Sequence, residues 1–283
     1  MATRGSALAR WQADRIAQLL GGDVELVIVQ TTGDRRADEP LHRIGGTGVF
    51  VKEVQEAVLA GRADVAVHSA KDLPADTPPG LALAALPERA DARDALVGST
   101  LAGLPTGAVV ATGSVRRRAQ LAALRPDLGF AELRGNIQTR LDKAVGFDAI
   151  VVAAAALDRL GLGERAAERL SFADMVPQVG QGALAVECRV DDRGTRARLE
   201  AIDDPGVHAA VSAERAFLAA LGGGCTLPVG AHADVVDGAV SVLALIASDD
   251  GHRVARGRET DTDPEQAGRR VAARLAAGFE ELV

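Results

Sequence analysis

Apolar residues along this chain recur with two periods, and the two alternate. Ser6 precedes a helical pattern from Ala7 to Leu20, with Leu8, Trp11, Ile16 and Leu19-Leu20 on the apolar positions and the Ser6 hydroxyl placed to cap it. Val24 to Gln30 reads as a buried strand, and Thr31 to Pro40 as a charged loop. Gly45-Gly46-Thr47-Gly48 opens a second helix, Val49 to Leu59. Asp64 to His68 is the next strand, running straight into Ser69-Ala70-Lys71-Asp72-Leu73-Pro74. After a charged, hinge-like stretch from Pro87 to Asp94, the alternation restarts. Strands are predicted at 108–112, 128–133 and 148–153. Helices follow at Val115, after Asn136 (carrying Thr139, Arg140 and Lys143) and around Arg159. The turn Val179-Gly180-Gln181-Gly182 leads into a strand over 183–190. From Pro205 the texture changes to a helix over 208–221, strands at 229–235, 239–247 and 253–258, and a last helix from Asp263. This order predicts two α/β units with largely parallel sheets, followed by a small α+β unit. Ligands of such sheets sit beyond the strands' carboxyl ends, and Lys71-Asp72 falls at one.

Composition narrows the picture. The chain has 283 residues, 47% apolar but only 2% aromatic and without Tyr, so its cores must be aliphatic. The longest apolar run, Ala149 to Leu157, is too short to cross a bilayer. No signal-peptide core follows Met1, so a cytoplasmic protein without membrane partners is expected. Cys188 and Cys225 make no disulfide framework, the five histidines are scattered, and no metal site is expected. Cys188, inside an apolar strand, reads as core.

The net charge of −7 argues against a nucleic-acid binder, as does the lack of stacking aromatics. Yet the segment 112–140 holds Arg116, Arg117, Arg118, Arg125, Arg134 and Arg140 against Asp127 and Glu132. Arg116 and Arg117 fall in the first turn of a helix, where the dipole disfavours cations unless an anion binds there too. No phosphate-binding glycine motif is present, and planar carboxylates are the best partners for guanidinium forks. Cys225 follows Gly222-Gly223-Gly224. Taken alone, that loop reads as a tight turn with a small packing residue, because a reactive thiol needs an environment the loop does not reveal.

Taken together, the motifs resemble the porphobilinogen deaminase (hydroxymethylbilane synthase) family. They are Thr3-Arg4-Gly5-Ser6, the run from Gly45 to Glu53, His68 to Pro74, Thr112-Gly113-Ser114-Val115-Arg116-Arg117, Leu133-Arg134-Gly135-Asn136, Thr139-Arg140-Leu141, Val179 to Ala183 and Gly223-Gly224-Cys225. They occur in family order over nearly the whole chain. The resemblance implies two periplasmic-binding-protein-like α/β domains plus a small C-terminal α+β domain. The expected division is 1–86 with 183–202, then 90–178, then 205–283. It further implies a monomer in which Cys225 carries a dipyrromethane through a thioether, and in which four molecules of the substrate porphobilinogen are condensed into a linear tetrapyrrole with loss of ammonia. Asp72 is the expected catalytic carboxylate. Arg4, Ser6, Ser69, Lys71, Thr112, Ser114, Arg116, Arg117, Arg134, Gly135, Arg140, Arg159 and Gln181 are expected to hold the cofactor and growing chain. The joins near 87–94 and 176–183 are expected to absorb movement.

Three departures from the family pattern stand out. The chain begins almost at Thr3-Arg4, so an abbreviated or frayed first strand is expected. Thr47 stands where many relatives have Lys, and Gly113 replaces a frequent Ser. The main rival is a non-enzymatic two-lobed binding protein for a small carboxylate, which leaves Cys225 and the third unit without a role.

Overall fold

The computed structural model describes residues 1–35, 48–223 and 228–280. Gly45, Gly46, Thr47 and Cys225 lie outside the described residues.

Three sheets organise the chain. The first has the order β2-β1-β3-β10-β4, built from β1 (Ala2–Arg4), β2 (Val27–Val29), β3 (Val65–Ser69), β4 (Leu81–Ala85) and β10 (Leu184–Arg189). The second has the order β7-β6-β8-β5-β9, built from β5 (Asp94–Val97), β6 (Val109–Ala111), β7 (Gly129–Ala131), β8 (Ala149–Ala153) and β9 (Glu168–Arg169). The third is an antiparallel sheet of β11 (Val229–Val236), β12 (Ala239–Ala247) and β13 (Val254–Asp261).

The first two sheets share one plan. Each has three parallel strands, then an antiparallel strand contributed by the chain as it passes between the sheets. The strand β5 enters the second sheet just after the outward crossing, and β10 enters the first just after the return. Both sheets are therefore mixed, not largely parallel as the alternation predicts. The crossings also pair with each other: Ala90 N–H donates to Gly182 O at 2.9 Å and Leu184 N–H to Glu88 O at 3.2 Å. The stretch read as a hinge is thus a two-stranded connection that ends in a core strand.

The first strand is not frayed. Ala2 and Thr3 are buried, and Ala2–Arg4 runs parallel to both neighbours, β2 and β3. Three residues are too few to show a period, so this strand depends on its neighbours for its existence. Cys188 is buried in the core beneath Ile16, Leu184 and Leu199.

In the third unit, the helices Pro205–Ala220 and Pro264–Glu280 cover one face of the sheet, closing a core around Phe217, Val242 and Val271. Pro205 sits in the first turn, where a missing N–H costs nothing, and Asp204 caps Gly206 N–H and Val207 N–H. Glu214, fully buried on this helix, joins the third unit to both crossings. It accepts from Arg89 Nη1 (2.6 Å) and Nη2 (3.2 Å), from Gly180 N–H (2.7 Å) and from Ala233 N–H (2.7 Å). Removing one partner of such a buried pair strands the other charge. Glu214→Gln is expected to cost about 3–5 kcal/mol of stability, measured as a lowered urea midpoint; an unchanged midpoint would contradict this role.

Candidate active site

Lys71 and Asp72 occupy the 3-10 turn Ala70–Asp72 at the carboxyl end of β3. Across the crossings, the helix Val115–Leu124 begins at the carboxyl end of β6, so Arg116 and Arg117 face the same region from the second sheet. Gln181 connects the two. Its Oε1 accepts from Lys71 Nζ at 3.3 Å, while its Nε2 donates to Ala92 O (2.8 Å) and to Asp94 Oδ1 (3.0 Å). The glycines on either side explain how so buried a glutamine is reached. Gly180 and Gly182 have φ of +71° and +87°, and a Cβ at Gly180 would lie 2.9 Å from Ala70 C, one at Gly182 2.4 Å from Ala90 O. Only glycine allows this approach.

The charges here are dense enough to shift one another. Burial pulls Lys71 down to about 8, and Arg117 and Arg140 add to the fall while Asp72 and Asp94 oppose it. Burial, with Arg117 and Arg134, brings Arg140 down to about 10, against the pull of Asp72. Burial likewise lowers Arg116 and Arg134, and takes Arg159 to about 10. The structure therefore brings Lys71, Asp72, Arg117, Arg134, Arg140 and Gln181 into one electrostatic neighbourhood.

The arginines differ in what they have left to offer. Arg117 is committed at each of its nitrogens. Its Nε and Nη2 donate to Asp94 Oδ1 (2.9 and 2.7 Å) and its Nη1 to Val151 O (3.0 Å), so it contributes field more than a free fork. Arg116 uses only Nη1, toward Asp94 Oδ2 (2.8 Å) and Val176 O (2.7 Å). Its Nε and Nη2, with Arg134 Nε and Arg159 Nε, are buried without a hydrogen-bond acceptor among the described residues. A buried guanidinium nitrogen left unpaired is costly, and three such side chains make a site shaped for carboxylates. Arg159 also donates to Gly182 O (2.7 Å) and lies 5.4 Å from the Trp11 ring centroid.

The remaining predicted residues have local duties. Ser6 caps its helix by accepting from Ala9 N–H (3.3 Å), and Ser69 accepts from Gln12 Nε2 (2.7 Å). Thr112 and Ser114 accept from Ser114 N–H (3.2 Å) and Arg117 N–H (3.4 Å), which leaves both hydroxyl protons free to donate. Gly135 O accepts from Arg140 Nε at 2.8 Å, fixing that guanidinium. Arg4 is ion-paired to Asp34 and lies 4.3 Å from the Phe50 ring centroid, so its fork is already engaged. At Gly113 a Cβ would lie 2.9 Å from Leu133 O, so this backbone takes a side chain there only by shifting.

Sequence reasoning missed Asp94, the anion that the first-turn arginines pair with. The signal was present as an acid opening the apolar run Ala95-Leu96-Val97. The third unit also reaches the site. Arg215 Nη1 donates to Pro74 O at 2.8 Å, and a Cβ on Gly223 would touch that of Ala75 at 3.4 Å, three residues past Asp72.

Comparison with known proteins gives consistent matches. A family model described as "Porphobilinogen deaminase, dipyromethane cofactor binding domain" matches residues 1–197, and one described as "Porphobilinogen deaminase, C-terminal domain" matches residues 208–277. The porphobilinogen deaminase of Acidothermus cellulolyticus is 51% identical over 298 residues, covering 100% of this chain and 90% of the relative. That of Syntrophobacter fumaroxidans is 46% identical over 275 residues, covering 94% and 89%. Among solved structures, a periplasmic binding protein of Salmonella typhimurium with high arginine specificity aligns with 67% of this chain and 78% of its own, at 14% identity and a TM-score of 0.36.

Proposed function

The chain belongs to the porphobilinogen deaminase family, and from that membership we propose which of its own residues carry the reaction. The enzyme condenses four porphobilinogen molecules head to tail into a linear tetrapyrrole, hydroxymethylbilane, with release of four molecules of ammonia and addition of one water. A dipyrromethane cofactor, when bound, supplies the primer that the substrate rings extend.

Cys225 is the attachment residue in this proposal. Gly223 beside Ala75 brings the chain two residues short of Cys225 close to the Lys71-Asp72 turn. Arg116, Arg134 and Arg159 hold carboxylate side groups of the cofactor and chain through their unpaired nitrogens. Lys71 and Arg140 add charge, and Ser69, Thr112 and Ser114 add hydroxyl donors. Arg4 and Ser6, engaged locally, line the approach, and Gly135 sets Arg140. Asp72 works on the incoming ring. Loss of ammonia from an aminomethylpyrrole leaves a resonance-stabilised cation, and a carboxylate beside the ring lowers that charge and holds the pyrrole N–H. A carboxylic acid in the same place protonates the departing amine. The observation that carries the reading is the set of buried guanidinium nitrogens on Arg116, Arg134 and Arg159 that have no acceptor among the described residues.

We divide the chain into domains at 1–86 with 183–202, 90–178 and 205–283, matching the three sheets, and take the protein to act as a monomer. No helix among the described residues is long and apolar enough to cross a membrane. A thiol that must stay free to receive its cofactor suits the reducing cytoplasm.

The test is stoichiometry. Purified enzyme given porphobilinogen should release four ammonia per tetrapyrrole; substrate binding without ammonia would leave only a binding protein. Lys71 adds a pH signature. It loses its charge as pH rises through about 8, so kcat/KM should fall over that range. In Lys71→Arg, which stays charged, that fall should move to higher pH.

A further inference from the structure

Asp94 touches more of the site than any residue assigned a role above. It is fully buried at the start of β5 and bonds to Arg116 Nη1, to Arg117 Nε and Nη2, and to Gln181 Nε2. Gln181 passes the connection on to Lys71, which lies on the other sheet. One carboxylate thereby fixes groups from both α/β units, at the point where the chain crosses between them.

We propose that Asp94 is a positioning residue for the reaction: its carboxylate orients Arg116 and Arg117 and, through Gln181, Lys71, holding the two walls of the site in register beside Asp72. This inference rests on the reaction assigned above. Three features support it beyond simple charge neutralisation. The carboxylate takes one side of each guanidinium and leaves Arg116 Nε and Nη2 unpaired, so it selects which edge is presented. Its Oδ1 accepts from both Nε and Nη2 of Arg117, and two donors held on one oxygen restrict rotation of that guanidinium. It also keeps its charge. Burial alone would favour the protonated form, but Arg116 and Arg117 hold it well below the usual carboxylate range. A misplacement of a substrate-orienting group by about 1 Å can cost on the order of 100-fold in rate, so removing this anchor should act on turnover.

The test reads the network apart from turnover. Lys52, Lys71 and Lys143 are the only lysines, so protein labelled with 13C-lysine has three side-chain signals, and loss of one in Lys71→Arg assigns it. The charged groups facing Lys71 are Asp72, Asp94, Arg117 and Arg140. Asp94→Asn removes one of the two anions among them, and the Lys71 midpoint should move below about 8. In steady state kcat should fall tenfold or more, with KM within about threefold, because the cations that bind carboxylates all remain. Gln181→Met guards against a misfolded Asp94→Asn: it leaves both ion pairs of Asp94 in place but removes the acceptor of Lys71 and the Nε2 donor to Asp94 and Ala92, so it breaks the link between the walls and it too should lower the midpoint and kcat. An unmoved Lys71 midpoint in the folded variants overturns the proposal, as does a rise in KM with kcat unchanged. If the midpoint moves but the wild-type enzyme makes no tetrapyrrole, the network stands and its assignment to this reaction falls.

Discussion

Cys225→Ser protein should have the mass of its bare polypeptide and form no tetrapyrrole, whereas wild-type protein should carry the extra mass of two linked pyrroles. A thioether forms through sulfur, whose thiolate is accessible near neutral pH; a serine hydroxyl offers no comparable nucleophile without an activating base. The second thiol should not take over. Cys188 is buried in β10, and burial pushes its pKa up, which disfavours the thiolate. Adding porphobilinogen to both proteins and weighing them again separates an unloaded enzyme from one that cannot load. Retention of the extra mass in Cys225→Ser would remove Cys225 from its role.

Asp72→Asn should keep its fold and lose about 100- to 10,000-fold in kcat, the range for removing a positioned acid–base or charge-stabilising group. Among the described residues, no side chain bonds to the Asp72 carboxylate, so asparagine breaks no ion pair there. The amide keeps the size and a carbonyl acceptor for a pyrrole N–H. It loses the negative charge that opposes the developing cation and cannot pass a proton to the leaving amine. The effect should therefore fall on kcat, with KM changed little. Because this substitution can also slow cofactor loading, intact mass should be taken first and rates referred to the loaded fraction. A fully loaded Asp72→Asn enzyme within tenfold of wild type would assign the chemistry elsewhere.

Several features of the site were legible in the sequence because they are set by neighbours in the chain. Ser6, Ser114 and Asn136 cap the helices that follow them, each by a bond to a residue three positions on. The β12 strand keeps its predicted bounds, Ala239 to Ala247, since nine largely apolar residues between a turn and a charged loop permit little else. Lys71-Asp72 at a strand end follows from the same local logic, and the family was legible from motif order.

What depended on distant segments was not. The charge of 87–94 makes that stretch read as a hinge, and the four residues Asp94–Val97, opened by an acid, do not look like a core strand. They become one only because β8 and β9 pair with them. The first-turn position of Arg116 and Arg117 points to an anion, and Asp94, 22 and 23 residues upstream, pairs with both inside the protein. Glu214 meets Arg89 across 125 residues.

Local hydrogen bonding and the period of apolar residues, both written in the chain, determined the helices, most strands and the identity of the chemistry-bearing residues. The tertiary structure alone decided which strands exchange between sheets, which arginines are spent and which stay free, and where a single carboxylate holds the two walls together. Those outcomes rest on pairing and burial between segments brought close only by folding, where the penalty for an unpaired buried charge selects the partner.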